Sequence, residues 1–141
     1  MAPGLAVATA AVFVWLGMVL AISFLEAPLK FRAPGVTIPI GLGIGRLVFR
    51  ALNISEAVLA ITAVIASAVH PPESSVLAAG SVALAALAVQ LVAVRPRLTR
   101  RSDRVLAGED VPRSRSHYVY VALEGVKTIA LITTGVLLLM L

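Results

Sequence analysis

No cysteine occurs among the 141 residues, so the chain can hold no disulfide, no thiolate nucleophile and no cysteine-based metal site. Charge is also scarce, because charged residues make up 13% of the chain, against about 25% in a typical soluble domain. Hydrophobic residues, in contrast, make up 60%. A soluble domain of this length needs more polar residues than this to cover its surface. The composition therefore predicts that lipid surrounds much of the chain.

Four apolar stretches are long enough to cross a membrane, which takes about 20 residues of helix. Alternation of apolar and polar residues with period two is absent, so the stretches are predicted to be helices and not barrel strands. The predicted fold is all-α, a single integral membrane bundle of four transmembrane helices. We expect the helices at about residues 5–27, 46–69, 75–94 and 117–141, with long connections at 28–45 and 95–116.

The basic residues predict which way the chain crosses the membrane. Both long connections fall on one side of a four-span bundle, and the two termini and the short turn after His70 fall on the other. Lys and Arg lie almost entirely in or beside the long connections, and none lies at the termini or in the short turn. The positive-inside rule therefore predicts cytoplasmic connections and both termini on the non-cytoplasmic side. The Arg-rich connection 95–116 could also attract anionic lipid headgroups, but nucleic acid is not expected because no aromatic residues alternate with its arginines.

The fourth span carries a polar stripe, with His117, Tyr120, Glu124 and Lys127 on one helical face. A charge facing lipid at this depth costs about 2.5 kcal/mol or more, so the stripe should face the bundle interior. Two interpretations are open. Glu124 and Lys127 form a structural ion pair, with Lys127 reaching toward the interface, or they belong to a ligand or proton site.

The second span carries a similar set, and the first span ends in charged residues. Arg46, Arg50, Asn53 and Glu56 follow one another at spacings of four, three and three. Glu56 is expected to lie at the depth of Glu124 and to face it. The predicted ligand-binding or ion-pair cluster consists of Glu26, Lys30, Arg46, Arg50, Asn53, Glu56, His117, Tyr120, Glu124 and Lys127.

Neither a catalytic residue nor a metal site is predicted. His70 and His117 are expected at opposite ends of the bundle, so they cannot share a metal ion. Gln90 is the only strongly polar residue of the third span. It is expected to bond to a neighbouring helix or to lie near the membrane interface.

Two motifs in the first part of the chain resemble a group of small uncharacterised bacterial four-helix membrane proteins. The segment Glu26-Ala-Pro-Leu-Lys-Phe-Arg32 matches the Ala-Pro-x-x-Phe signature of that group. Gly45-Arg-Leu-Val-Phe49 matches the Gly-Arg-x-x-Phe segment that opens its second helix. The resemblance covers about the first 60 residues, and it implies a fold without an activity.

A second resemblance is to the membrane-associated proteins in eicosanoid and glutathione metabolism. Arg46, Asn53 and Glu56 match the helix-two signature of that family, which is similar to this chain in length and helix number. The resemblance implies glutathione as cofactor, held by these residues near the cytoplasmic face of a trimer. The chain departs from the pattern at Gly45, where the family has an acidic residue, and in lacking the aromatic end of helix three.

These observations leave three functions open. The first is a small multi-pass protein of a bacterial cytoplasmic membrane, a homo-oligomer or a subunit of a membrane complex. Its polar cluster would bind or pass a small ligand, ion or proton. The second is a glutathione-dependent membrane enzyme that uses the Arg46, Asn53 and Glu56 set. The third is a purely structural membrane subunit.

Overall fold

The computed structural model describes residues 1–141, and all of its regular elements are helical. Four helices are long and apolar enough to cross a membrane: α1 (Pro3–Arg32), α2 (Ile38–Val69), α3 (Ser74–Leu106) and α4 (Arg115–Leu139). The predicted all-α class and the four apolar spans are confirmed. Three of the four helices are longer than the apolar stretches that predict them.

The second helix begins at Ile38 and not near residue 46, so most of the connection 28–45 is helical. Thr37 caps this helix, because its hydroxyl oxygen accepts a hydrogen bond from the Ile40 N–H at 3.4 Å. Pro39 lies in the first turn, where the missing N–H would have had no partner in any case. The non-helical part of the connection is a tight turn at Pro34 and Gly35. The Val36 N–H donates to the Ala33 carbonyl at 3.2 Å, and Gly35 has the positive φ of 81° that a type II turn requires.

The third helix continues beyond residue 94 through the charged segment Arg95–Leu106, so the connection 95–116 is also partly helical. Gly108 ends this segment with a φ of 95°. The Glu109 N–H donates to the Arg104 carbonyl at 3.0 Å, and the Gly108 N–H donates to the Val105 carbonyl at 3.0 Å. This pair of bonds is a Schellman motif, in which glycine tolerates the left-handed conformation.

Two of the helices contain a π-helical turn, Leu20–Glu26 in α1 and Gln90–Val94 in α3. A proline follows each turn closely, Pro28 in the first case and Pro96 in the second. Proline has no N–H for the carbonyl four residues before it, so the preceding turn widens. A π turn changes the angular position of the side chains that it contains, and such turns are common at functional sites.

The bundle is built from two antiparallel pairs, α1 with α2 and α3 with α4, joined by contacts between α1 and α4. The second helix meets α3 mainly through the Arg95–Leu106 end. The core includes Trp15 and Val19 of α1 and Leu131 of α4. Gly135 lets α4 approach α1 closely, because a Cβ at this position would lie 2.8 Å from the Phe13 Cζ.

Most large apolar side chains lie on the outside of this bundle. Only 27 of the 141 residues are buried, and the buried set includes charged residues. Val58, Ile61 and Ile65 of α2 are more than half exposed. An apolar exterior around a partly polar interior is the arrangement expected of helices surrounded by lipid.

Candidate functional site

A charged triad, Glu56, Glu124 and Lys127, lies at the centre of the bundle. Lys127 and Glu56 are 0% exposed and Glu124 is 2% exposed. The Lys127 ammonium pairs with Glu56 Oε1 and lies 2.5 Å from Glu124 Oε1. It also donates a hydrogen bond to Gln90 Oε1 at 2.9 Å. An ammonium group has three N–H donors, and it meets three acceptors here, so Lys127 has no need to extend toward the interface.

The two carboxylates have further partners on α1. The Trp15 indole N–H donates to Glu56 Oε1 at 2.9 Å, and the Ser23 hydroxyl donates to Glu124 Oε2 at 2.7 Å. Glu56 Oε2 is buried and accepts no hydrogen bond. Glu124 Oε1 also accepts no hydrogen bond, although it lies beside the Lys127 ammonium. All four helices therefore contribute polar side chains to one site, and each carboxylate has one oxygen without a hydrogen bond.

The two π turns supply part of this site. Ser23 lies in the π turn of α1, and Gln90 lies in the π turn of α3. Gln90 is 1% exposed, and its amide nitrogen also donates to the Tyr120 carbonyl at 3.3 Å. The expected bond from Gln90 to a neighbouring helix is thus present.

A cavity of about 410 Å³ begins at Glu124 and lies at the end of the bundle that carries the two long connections. Four residues that line it are cationic and one is histidine: Lys30, Arg95, Arg101, Arg113 and His117. Aromatic side chains form much of the rest of the wall: Phe24, Phe31, Phe49 and Tyr120. We call this space the basic cavity.

A second cavity of about 450 Å³ lies on the other side of the triad. Trp15 and Thr134 line it, together with apolar residues and two serines, Ser67 and Ser81. No Asp, Glu, Lys, Arg or His lines this space. We call it the apolar cavity. The triad and its partners thus have a basic space on one side and an uncharged space on the other.

The structure brings some of the residues predicted from sequence together and separates others. Glu56, Glu124 and Lys127 form the triad, and Lys30, His117 and Tyr120 line the basic cavity. The contact of Glu56 with the polar face of α4 is the one that the matched depths predict.

The remaining predicted residues lie elsewhere. Glu26 pairs with Lys30 at 3.7 Å, and Arg46 pairs with Asp103 at 2.7 Å near the surface. Arg50 is exposed, and Asn53 is half-buried. Arg46, Asn53 and Glu56 line neither the basic nor the apolar cavity.

The site also contains three residues that the sequence did not predict there: Trp15, Ser23 and Arg95. Trp15 is the only tryptophan of the chain. A buried indole N–H normally requires an acceptor, so Trp15 could have been predicted to contact a polar side chain. Ser23 gave no signal, because a regular helix of period 3.6 does not predict the π turn that contains it. Arg95 was assigned to a connection, whereas it lies in a continuous helix.

Comparison of the chain with protein families, with curated proteins and with solved structures finds no match. No group of three or more Asp, Glu or His side chains is arranged to hold a metal ion. The chemistry of the site must therefore be inferred from the triad and the two cavities alone.

Proposed function

We propose that this chain is a multi-pass protein of a bacterial cytoplasmic membrane whose triad binds one exchangeable proton. Four helices of spanning length and an apolar exterior support the membrane location. The observation that carries the proposal is the burial of two carboxylates with one ammonium group, all of them at most 2% exposed.

The charge balance of the triad favours a bound proton. With all three groups ionised, the triad has one excess negative charge in a place without solvent. Burying an unbalanced charge is costly, whereas a balanced and hydrogen-bonded pair is tolerated. One proton shared by Glu56 and Glu124 gives the balanced state. Glu56 Oε2 and Glu124 Oε1 are both buried without a hydrogen bond, but Glu124 Oε1 lies 2.5 Å from the Lys127 ammonium. Glu56 Oε2 is therefore the oxygen best suited to carry the proton.

The proton has a route to solvent through the basic cavity. Glu124 lines this cavity, and Tyr120 and His117 lie along its wall. In the apolar cavity on the other side, the only polar side chains are Trp15 and residues with hydroxyl groups, and none of these is ionisable at neutral pH. This asymmetry supports proton binding and release at one end, and not passage across the whole bundle.

The basic residues support a cytoplasmic position for the basic cavity. The two long connections lie at one end of the bundle, where Arg46 and Asp103 join them. Every Lys and Arg outside the triad belongs to this end. By the positive-inside rule, this end faces the cytoplasm, so the triad exchanges its proton with the cytoplasm.

Proton uptake by the purified protein tests the proposal. The protein in lipid nanodiscs is taken from alkaline to neutral pH, and bound protons are counted with a pH indicator. We expect the wild type to take up one proton more than Glu56→Gln or Glu124→Gln, because an amide cannot hold the carboxyl proton. Glu73→Gln, at an exposed position outside the triad, is the matched control and should take up as many protons as the wild type.

The same experiment distinguishes a proton site from a structural ion pair. A structural pair with no exchangeable proton requires equal uptake by the wild type and by well-folded Glu56→Gln and Glu124→Gln. That result would mean that the triad serves helix packing alone. Helicity and melting temperature of each variant show whether it is folded.

A further inference from the structure

The basic cavity has more positive charge than its carboxylates balance. Arg95, Arg101 and Arg113 have no carboxylate partner within 4.0 Å, whereas Arg46 and Arg104 elsewhere in the chain each have one. The guanidinium of Arg101 donates to the carbonyls of Pro112 and Val111, which are neutral acceptors. Glu124 is the only carboxylate in the wall, and it already pairs with Lys127. The cavity therefore has an excess of positive charge.

The Arg95 guanidinium lies against two aromatic rings. Its guanidinium carbon lies 4.7 Å from the centre of the Tyr120 ring and 5.2 Å from the centre of the Phe49 ring. One terminal nitrogen donates to the Tyr120 hydroxyl at 2.9 Å. The Nε–H is buried and has no acceptor. A buried donor normally has a partner, and an unpaired one costs free energy, so the Arg95 Nε–H is available to a bound acceptor.

The chemistry of the wall specifies the acceptor. Guanidinium groups bind phosphate oxygens through paired N–H donors, and several cations together favour a group that carries more than one negative charge. The phenyl rings of Phe24 and Phe31 offer an apolar surface in the same space. A cavity of about 410 Å³ falls within the range of about 300–1,000 Å³ that small-molecule sites occupy.

We propose that the basic cavity binds the phosphate group of an organic phosphate, with Arg95 as the central donor and the apolar part against the phenyl rings. Arg113 adds positive charge to the same wall, and Lys30, which pairs with Glu26, adds further N–H donors. This proposal goes beyond proton binding by the triad and does not depend on it, because none of the three cations belongs to the triad.

Binding of phenyl phosphate tests the proposal. We use the full chain in nanodiscs of zwitterionic phosphatidylcholine and titrate phenyl phosphate by calorimetry. We expect saturable binding that weakens about tenfold or more in Arg95→Gln, as for the loss of charge-assisted hydrogen bonds. Arg97→Gln is the matched control, because Arg97 is an exposed arginine two residues away that does not line the cavity. Phenyltrimethylammonium, a cation of similar size, should not bind.

A second variant tests the same site if Arg95→Gln does not fold. Lys30→Gln should also weaken binding, whereas Arg32→Gln, at an exposed position outside the cavity, should not. Equal affinity in the wild type and in folded Arg95→Gln and Lys30→Gln would overturn the proposal.

A second experiment, on lipid retention, shows whether the phosphate belongs to a lipid headgroup or to a soluble molecule. Native mass spectrometry of protein from nanodiscs of mixed phosphatidylglycerol and phosphatidylcholine shows which lipid is retained. Retention of phosphatidylglycerol by the wild type but not by Arg95→Gln supports the phosphate site and identifies a lipid headgroup as its occupant. Phenyl phosphate binding without lipid retention supports a soluble organic phosphate. Absence of both overturns the proposal.

Discussion

At the scale of single residues, the most unusual feature is Lys127, a lysine with no solvent exposure between two carboxylates. The spacing of Glu124 and Lys127 predicted their pairing, and the matched depth of Glu56 predicted its approach. The sequence did not predict that Lys127 contacts both carboxylates and Gln90 at once. That arrangement depends on the relative rotation of three helices, which spacing along one helix does not determine.

The triad makes a specific prediction about stability. Lys127→Met leaves two buried carboxyl groups without a cation and should destabilise the protein by about 3–5 kcal/mol. Glu56→Gln, which resembles the protonated carboxyl, should change stability much less. Adding Glu124→Gln to Lys127→Met should recover part of the loss, because fewer buried carboxyl groups then lack a partner. Melting temperature in detergent, read as a double-mutant cycle, measures this coupling.

A different ranking would contradict this description of the triad. If Lys127→Met were as stable as the wild type, the Lys127 ammonium would not be needed to balance the two carboxylates. If the separate effects of Lys127→Met and Glu124→Gln simply added in the double variant, the two side chains would not be coupled. Glu73 is an exposed glutamate outside the site. The stability of Glu73→Gln therefore shows how much a Glu-to-Gln substitution changes the melting temperature by itself.

At the scale of elements, the apolar stretches predicted the number and type of helices but not their ends. Helices begin and end here through local chemistry, as with the Thr37 cap and the Gly108 turn. The π turns were not predictable from periodicity, because they insert a change of angle within an otherwise regular helix. Ser23 and Gln90 contact the triad from these turns, so their contacts with the triad could not be predicted from the sequence.

The close approach of α1 and α4 can be tested with two glycines on the same helix. A Cβ at Gly135 would lie 2.8 Å from Phe13 Cζ, whereas a Cβ at Gly125 would meet nothing within 4 Å. Gly135→Ala should therefore destabilise the protein by about 1–3 kcal/mol through overpacking. Gly125→Ala should be neutral or stabilise it by up to about 1 kcal/mol through helix propensity. Thermal unfolding of both variants is the measurement, and equal effects would contradict this packing.

At the scale of the whole molecule, the distribution of basic residues predicts topology. A reporter enzyme that is active only outside the cytoplasm should be active when fused after Leu141. The same reporter inserted at Gly108, in the turn that follows α3, should be inactive. Activity at Gly108 and not after Leu141 would invert the proposed orientation and move the basic cavity to the other side of the membrane.

Assembly also belongs to this scale and stays a prediction. The second helix contacts α3 mainly at one end, and it exposes Val58, Ile61 and Ile65 along its outer face. We expect a homo-oligomer or a membrane complex, which native mass spectrometry of protein in lipid would show as masses above that of the single chain. A single chain throughout would contradict this expectation without affecting the triad.

The triad is proposed to hold a proton inside the bundle, and infrared spectroscopy detects such a proton on a carboxyl group. A protonated carboxyl group has a C=O stretching band that a carboxylate lacks, and carboxyl groups in water are ionised at neutral pH. We predict such a band in the wild type at neutral pH, shifted in heavy water and absent from Glu56→Gln. A wild-type spectrum without this band at neutral pH would show that neither carboxyl group of the triad holds a proton.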